Sequence, residues 1–155
     1  MDPGNLDEYY DGIIDVHAQE VRIDLNFDND SIDTSRLDIV KKFISRIPDF
    51  DNSNKEYIRQ NYASKDDDTV REYVQHHLEE ISKEGLSELI DFDNKKVTPE
   101  IQLMNELQMV RVGIYPDSDD SFAIFDYSIG EELTQYLVVI NTDEDGKLVY
   151  MTMES

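Results

Sequence analysis

The chain has 155 residues, enough for one domain that buries roughly two-thirds of the surface its unfolded form would expose. It contains no cysteine, which excludes a disulfide scaffold, a thiolate metal site and cysteine catalysis. Its 36 acidic and 14 basic residues give a formal charge of −22, a surface that repels phosphate backbones and anionic lipid and steers cationic partners inward.

The opening MDPGNLDEYY has neither a basic region nor an apolar stretch, and the longest aliphatic run is Leu137 to Ile140, so neither a signal peptide nor a membrane span is predicted and the chain reads as cytoplasmic. Along the chain, VRIDLNF (residues 21–27) alternates Val21, Ile23, Leu25 and Phe27 with Arg22, Asp24 and Asn26, the pattern of a half-buried strand. YYDGIIDVHA before it is an antiparallel partner, with the turn expected at Ala18 to Glu20. From Ser31 the period changes: Leu37, Val40, Ile44 and Ile47 recur at three and four residues, Asp33 or Thr34 caps the helix and Pro48 stops it. A second helix is expected near Asn54 to Tyr62. Asp66 to Asp68 then supplies an N-cap and dipole-compensating charge for a third, with Val70, Tyr73, Val74, His77, Leu78 and Ile81 as its apolar stripe. Gly85 breaks it, Leu86, Leu89 and Ile90 form a short turn, and Thr98 and Pro99 start a short helix through Ile101, Leu103 and Met104.

After Leu107 the chain becomes strand-like. MVRVGIY, FAIFDYS, QYLVVI and KLVYMTM are separated by PDSDD, GEE and NTDEDG, connections of hairpin length rich in turn formers. Residues 1–155 therefore predict a single α+β domain, an N-terminal hairpin and a C-terminal four-stranded antiparallel meander with three to four helices on one face. The charge is uneven in a way that bears on this architecture. Residues 1–35 hold ten acids and only Arg22 as a base, residues 115–155 hold ten acids and only Lys147, and these ends carry −18 of the −22. If hairpin and meander share one sheet, their acids fall on one acidic face.

The motifs for chemistry are sparse. Asn141, Asp143, Asp145, Gly146 and Leu148 match five positions of an EF-hand loop, but Thr152 stands where the bidentate glutamate belongs and both flanks read as strands, so the segment predicts a hairpin turn. The runs at Asp24 to Asp30 and Asp49 to Ser53 share the spacing without the glycine and read as strand-end or capping segments. Glu72, His76 and Glu80 share one helix face, a pattern more typical of a solvated surface than of a metal site. His77 falls in the apolar stripe, and His17 has no visible partner. No nucleophile elbow, phosphate loop, dinucleotide fingerprint or zinc-protease motif is present, and the chain is read as non-catalytic, without cofactor.

The C-terminal segment RVGIYPDSDDSFAIFDYSIGEELTQYLVVINTDEDGKLVYMTMES, with VRIDLNFDNDSI near the start, resembles a family of small bacterial proteins known only as a domain of unknown function, number two-thousand-and-four. The resemblance rests on FDYSIG at Phe125 to Gly130, the strand YLVVI, the DEDGK turn and the closing Met153, Glu154 and Ser155. It implies a bacterial source and assigns neither activity, cofactor nor catalytic residue. The expectation is an acidic protein-binding module, of the immunity or antitoxin kind, whose acidic sheet face masks a basic protein and takes no nucleic acid or membrane. Asp117, Asp119, Asp120, Asp126, Glu131 and Glu132 are its candidate contacts, with Tyr115 and Tyr127 as anchors. The alternative is a divalent-cation binder or small hydrolase built on carboxylates.

Overall fold

The computed structural model describes residues 2–118 and 120–155. Six strands form one sheet in the order of the chain: β1 (Tyr9–Val16), β2 (Gln19–Asn26), β3 (Gln108–Ile114), β4 (Ala123–Ser128), β5 (Leu137–Thr142) and β6 (Leu148–Glu154). Four helices, α1 (Thr34–Ser45), α2 (Ile47–Ala63), α3 (Thr69–Glu80) and α4 (Pro99–Asn105), lie between β2 and β3 in sequence. The α+β class and the shared sheet are as the sequence predicts. One junction departs from the antiparallel expectation: β2 runs parallel to β3, with Arg22 beside Arg111 and Leu25 beside Ile114. Parallel neighbours need a long crossover, and the four helices are that crossover.

Alternation along the strands decides the two faces. Val21 and Leu25 of β2, Val112 and Ile114 of β3, Phe125 and Tyr127 of β4, and Val138 and Ile140 of β5 are buried in the core beneath the helices. Phe43 of α1 anchors this layer, its ring centroid 4.5 Å from Phe50 of α2, 5.0 Å from Phe122 and 6.1 Å from Phe125. Full burial of such a ring stabilises by about 1.5–3 kcal/mol before cavity effects, so this aromatic group holds α1 and α2 to the sheet.

The helix boundaries show where local signals were misread. Pro48 does not end α1; it sits in the first turn of α2, where its missing N–H costs nothing, and α2 begins at Ile47, well before Asn54. Arg46 alone separates the two helices, and Ile47 is fully buried at the corner. Before α3, Asp67 Oδ1 accepts from the backbone N–H (3.0 Å) and hydroxyl (2.6 Å) of Thr69, which holds its carboxyl below the usual range, while Asn61 Oδ1 of α2 accepts from Val70 N at 2.9 Å. At α4, Thr98 Oγ1 accepts from Ile101 N at 3.3 Å with Pro99 as the first helical residue, the expected cap.

The β1–β2 turn is tighter than expected, consisting of His17 (φ 50°) and Ala18 (φ 65°). Two residues in the left-handed region make the primed turn that matches strand twist, here without the glycine that usually relieves it. At the other end of the sheet NTDEDG is a turn between strands. Asp143 Oδ1 accepts from the N–H groups of Asp145 and Lys147, both at 2.9 Å, so this carboxylate closes its own loop. Gly146 has φ 80°, and a Cβ there would run into the Phe50 ring, so glycine is required on both counts.

Candidate functional site

Strand direction brings distant acids together. β2 and β3 finish at the end of the sheet where β1, β4 and β6 start and where β5 finishes. The connection after β2 (Asp28, Asp30, Asp33), the β3–β4 loop (Asp117, Asp120) and the β5–β6 turn (Asp143, Glu144, Asp145) therefore share one end, with Asp2, Asp7 and Glu8 of the N-terminal segment. Hydrogen bonds fix these pieces to each other. Asp28 N donates to Asp117 Oδ2 at 2.7 Å, Leu6 N to Asp30 O at 2.8 Å, and Ile32 N to Pro3 O at 2.9 Å. Arg36 of α1 ties the rest, its Nε donating to Pro116 O at 2.8 Å and its Nη1 to Glu144. Lys42 and Arg46 stand beside Glu144 and Asp145 on the helical flank. Among the described residues, eleven carboxylates thus gather at one end, against Arg36, Lys42, Arg46 and Lys147.

The open face of the sheet is organised differently from the acidic face the sequence suggests. Its centre is Arg111, which donates to Asp24 through Nε (2.7 Å) and Nη2 (2.8 Å), to the Tyr115 hydroxyl (3.2 Å) and, more loosely, to Asp126 (3.4 Å). Gly113 makes room for the fork, since a Cβ there would lie 3.1 Å from Asp24 Oδ2 and closer still to the guanidinium. Such charge-assisted bidentate pairing raises the affinity of Arg111 for its proton and joins β2 to β3 across the parallel junction. Asp126 is less well served. Burial pushes its carboxyl up, and Arg111, whose short bonds go to Asp24, only partly opposes this. Arg22 pairs with Glu131 at the side (2.6 and 3.1 Å), which draws the Glu131 carboxyl down.

The sequence-predicted contacts accordingly separate into groups. Asp117 and Asp120 belong to the acidic end, and Asp119 lies outside the described residues. Tyr115 is half-buried against Arg111. Asp126 is 8% exposed, and Glu131 is engaged with Arg22 while Glu132 follows it in the exposed β4–β5 loop. Tyr127 cannot anchor a partner. It is fully buried on the helical side of β4, and its hydroxyl donates to the buried Asp51 Oδ1 of α2 at 2.6 Å. In a pleated strand, residue 127 takes the face opposite to 126, so Tyr127 and Asp126 cannot share one surface.

Sequence reasoning missed Asp28, Asp30, Asp33, Glu144 and Asp145 as members of the acidic end, having assigned them only to capping or turns. The available signal was the concentration of acids in both terminal segments. Among the described residues, no group of three or more His, Asp or Glu side chains stands close enough to hold a metal ion. His76 packs edge-on to Tyr136 (4.7 Å), and the buried His77 donates through Nδ1 to Tyr73 O (2.6 Å), with its Nε2 2.8 Å from the Thr134 hydroxyl. No described helix is long and apolar enough to cross a membrane. Comparison of the chain with protein-family models, curated proteins and solved structures finds no match.

Proposed function

We propose that the protein is a non-catalytic binding module that captures a basic protein at the acidic end of its sheet, in the manner of an immunity protein or antitoxin covering a cationic toxin. The observation that supports this reading is the convergence of three loops and the N-terminal segment, which brings together, among the described residues, eleven carboxylates with four neighbouring cations. Unlike the open face, where Arg111 sits between Asp24 and Asp126, this end carries a large excess of negative charge held on a hydrogen-bonded frame. A fixed surface of this kind accelerates encounter with a cationic partner and loses that advantage as salt screens it over about 8–10 Å.

The test uses affinity capture from the native host followed by titration of the purified partner. Replacing Asp28, Asp117, Asp120 and Glu144 by their amides is expected to slow association at least tenfold in physiological salt while the unfolding midpoint stays within a few degrees. Unchanged association by the folded variant overturns the reading.

A further inference from the structure

The outer strand of the N-terminal hairpin has an unpaired edge. β1 is first in the sheet order and bonds only to β2. Its two-residue turn pairs Val16 with Gln19, which makes Val16, Ile14, Gly12 and Tyr10 the residues whose backbone groups bond β2. Phe27 N donating to Glu8 O at 2.9 Å continues the same phase. Tyr9, Asp11, Ile13 and Asp15 therefore aim their N–H and C=O groups outward, and among the described residues these backbone groups make no hydrogen bond to a loop or side chain. Their side chains are exposed on the open face, Tyr9 by 55% and Ile13 by 67%. Beside them runs a groove of about 410 Å³, lined by Tyr9, Asp11, Ile13, Arg22, Asp24 and Arg111.

Natural edges are blunted by lysine, proline, bulges or covering loops. β6, the opposite edge, has a register shift against β5 and Lys147 just before it. β1 has neither proline, lysine nor bulge over its eight residues. Its only guards are Asp11 and Asp15, and they are selective. A second copy of this chain, itself at −22, would set these carboxylates close to like charge, whereas a cationic strand would satisfy them. The strand also begins at the acidic end, directly after Asp7 and Glu8.

We infer that β1 receives an extended basic segment of the partner as a seventh strand, its cationic side chains falling beside Asp11 and Asp15 and its alternate apolar ones beside Tyr10 and Ile14. This inference rests on the capture of a basic protein proposed above and specifies how that protein is engaged.

The probe is a blocked octapeptide alternating lysine and valine, titrated calorimetrically into the full-length protein in physiological salt. A peptide of the same composition with its lysines in one block and an alternating glutamate and valine peptide serve as controls. One-to-one saturable binding by the alternating basic peptide alone is expected. Ile13→Pro, which deletes one outward N–H and leaves the β2 ladder intact, should weaken it at least tenfold. So should Asp11→Lys/Asp15→Lys, which leaves the backbone untouched and keeps the question decidable if the proline variant misfolds. The inference is overturned if the blocked-lysine peptide binds equally well or if neither folded variant loses affinity. It is also overturned if sedimentation shows a dimer that Ile13→Pro dissolves, which would assign the edge to a second copy. Capture of the native partner that depends on the sheet-end acids but not on Ile13 or Asp11 sinks the edge alone; capture indifferent to the sheet-end acids sinks the reading beneath it.

Discussion

Arg111 and Asp24 meet as a two-pronged ion pair across the junction between β2 and β3, with 27% of the arginine side chain exposed and 6% of the aspartate. The pair ties the N-terminal hairpin to the meander, and its removal is therefore felt by the whole sheet. Arg111→Met strands the Asp24 and Asp126 carboxylates without their cation. Breaking a buried pair from one side costs about 3–5 kcal/mol, and urea unfolding at pH 7 is expected to show a loss of that order. The double variant Asp24→Asn/Arg111→Met should lose less than the two single losses combined, because the stranded charge is removed along with its partner.

Asp126 gives the opposite sign. Its folded carboxyl binds a proton more tightly than the unfolded one because burial outweighs the distant Arg111, so the native state carries a cost once pH rises past the carboxylate range. Asp126→Asn is expected to match the parent near pH 3, where both side chains are neutral, and to gain stability relative to it as pH rises through the elevated native pKa. Paired urea titrations at several pH values measure that difference directly, with the other carboxylates cancelling between the two proteins.

His77 titrates in the other direction. Burial holds its imidazole below the ordinary value, with Tyr73 O only partly opposing, so between the unfolded and folded pKa values the unfolded chain takes up the proton and stability falls as pH drops below about 6.5. His77→Gln, which can keep a hydrogen bond to Thr134, should remove this component. Its thermal midpoint is expected to fall less than the parent's between pH 7 and pH 5.

At Gly146 the test is steric. Gly146→Ala places a methyl group against the Phe50 ring and forces alanine to φ 80°, and strain and overpacking together are expected to cost about 2–4 kcal/mol in equilibrium unfolding. Gly12→Ala, on the edge strand with its nearest neighbour 3.9 Å away at Ile23, is the control that should stay within about 0.5 kcal/mol.

Much of the fold was legible because its signals are local. VRIDLNF alternates as β2 does, the stripe from Val70 to His77 faces the core, and Thr98 with Pro99 starts α4. Pro48 is ambiguous in sequence because proline suits both the residue after a helix and the first turn of the next, and the short break at Arg46 shows only in the burial of Ile47. The parallel junction is invisible in sequence because it depends on a register between residues as far apart as Arg22 and Arg111. For the same reason the acids could be counted but not located. That Asp28 and Asp117 would bond each other, while Asp126 turned to Arg111, depends on which strand ends coincide.

The placement of all four helices between β2 and β3 also sets the order in which the molecule can assemble. A chain emerging from the ribosome can form its first hairpin early, but the seam between β2 and β3 stays open until β3 has been synthesised. Until then the inner edge of the hairpin is as bare as the outer one, and repulsion among the ten carboxylates of residues 1–35, set against Arg22 alone, opposes the joining of copies along either side.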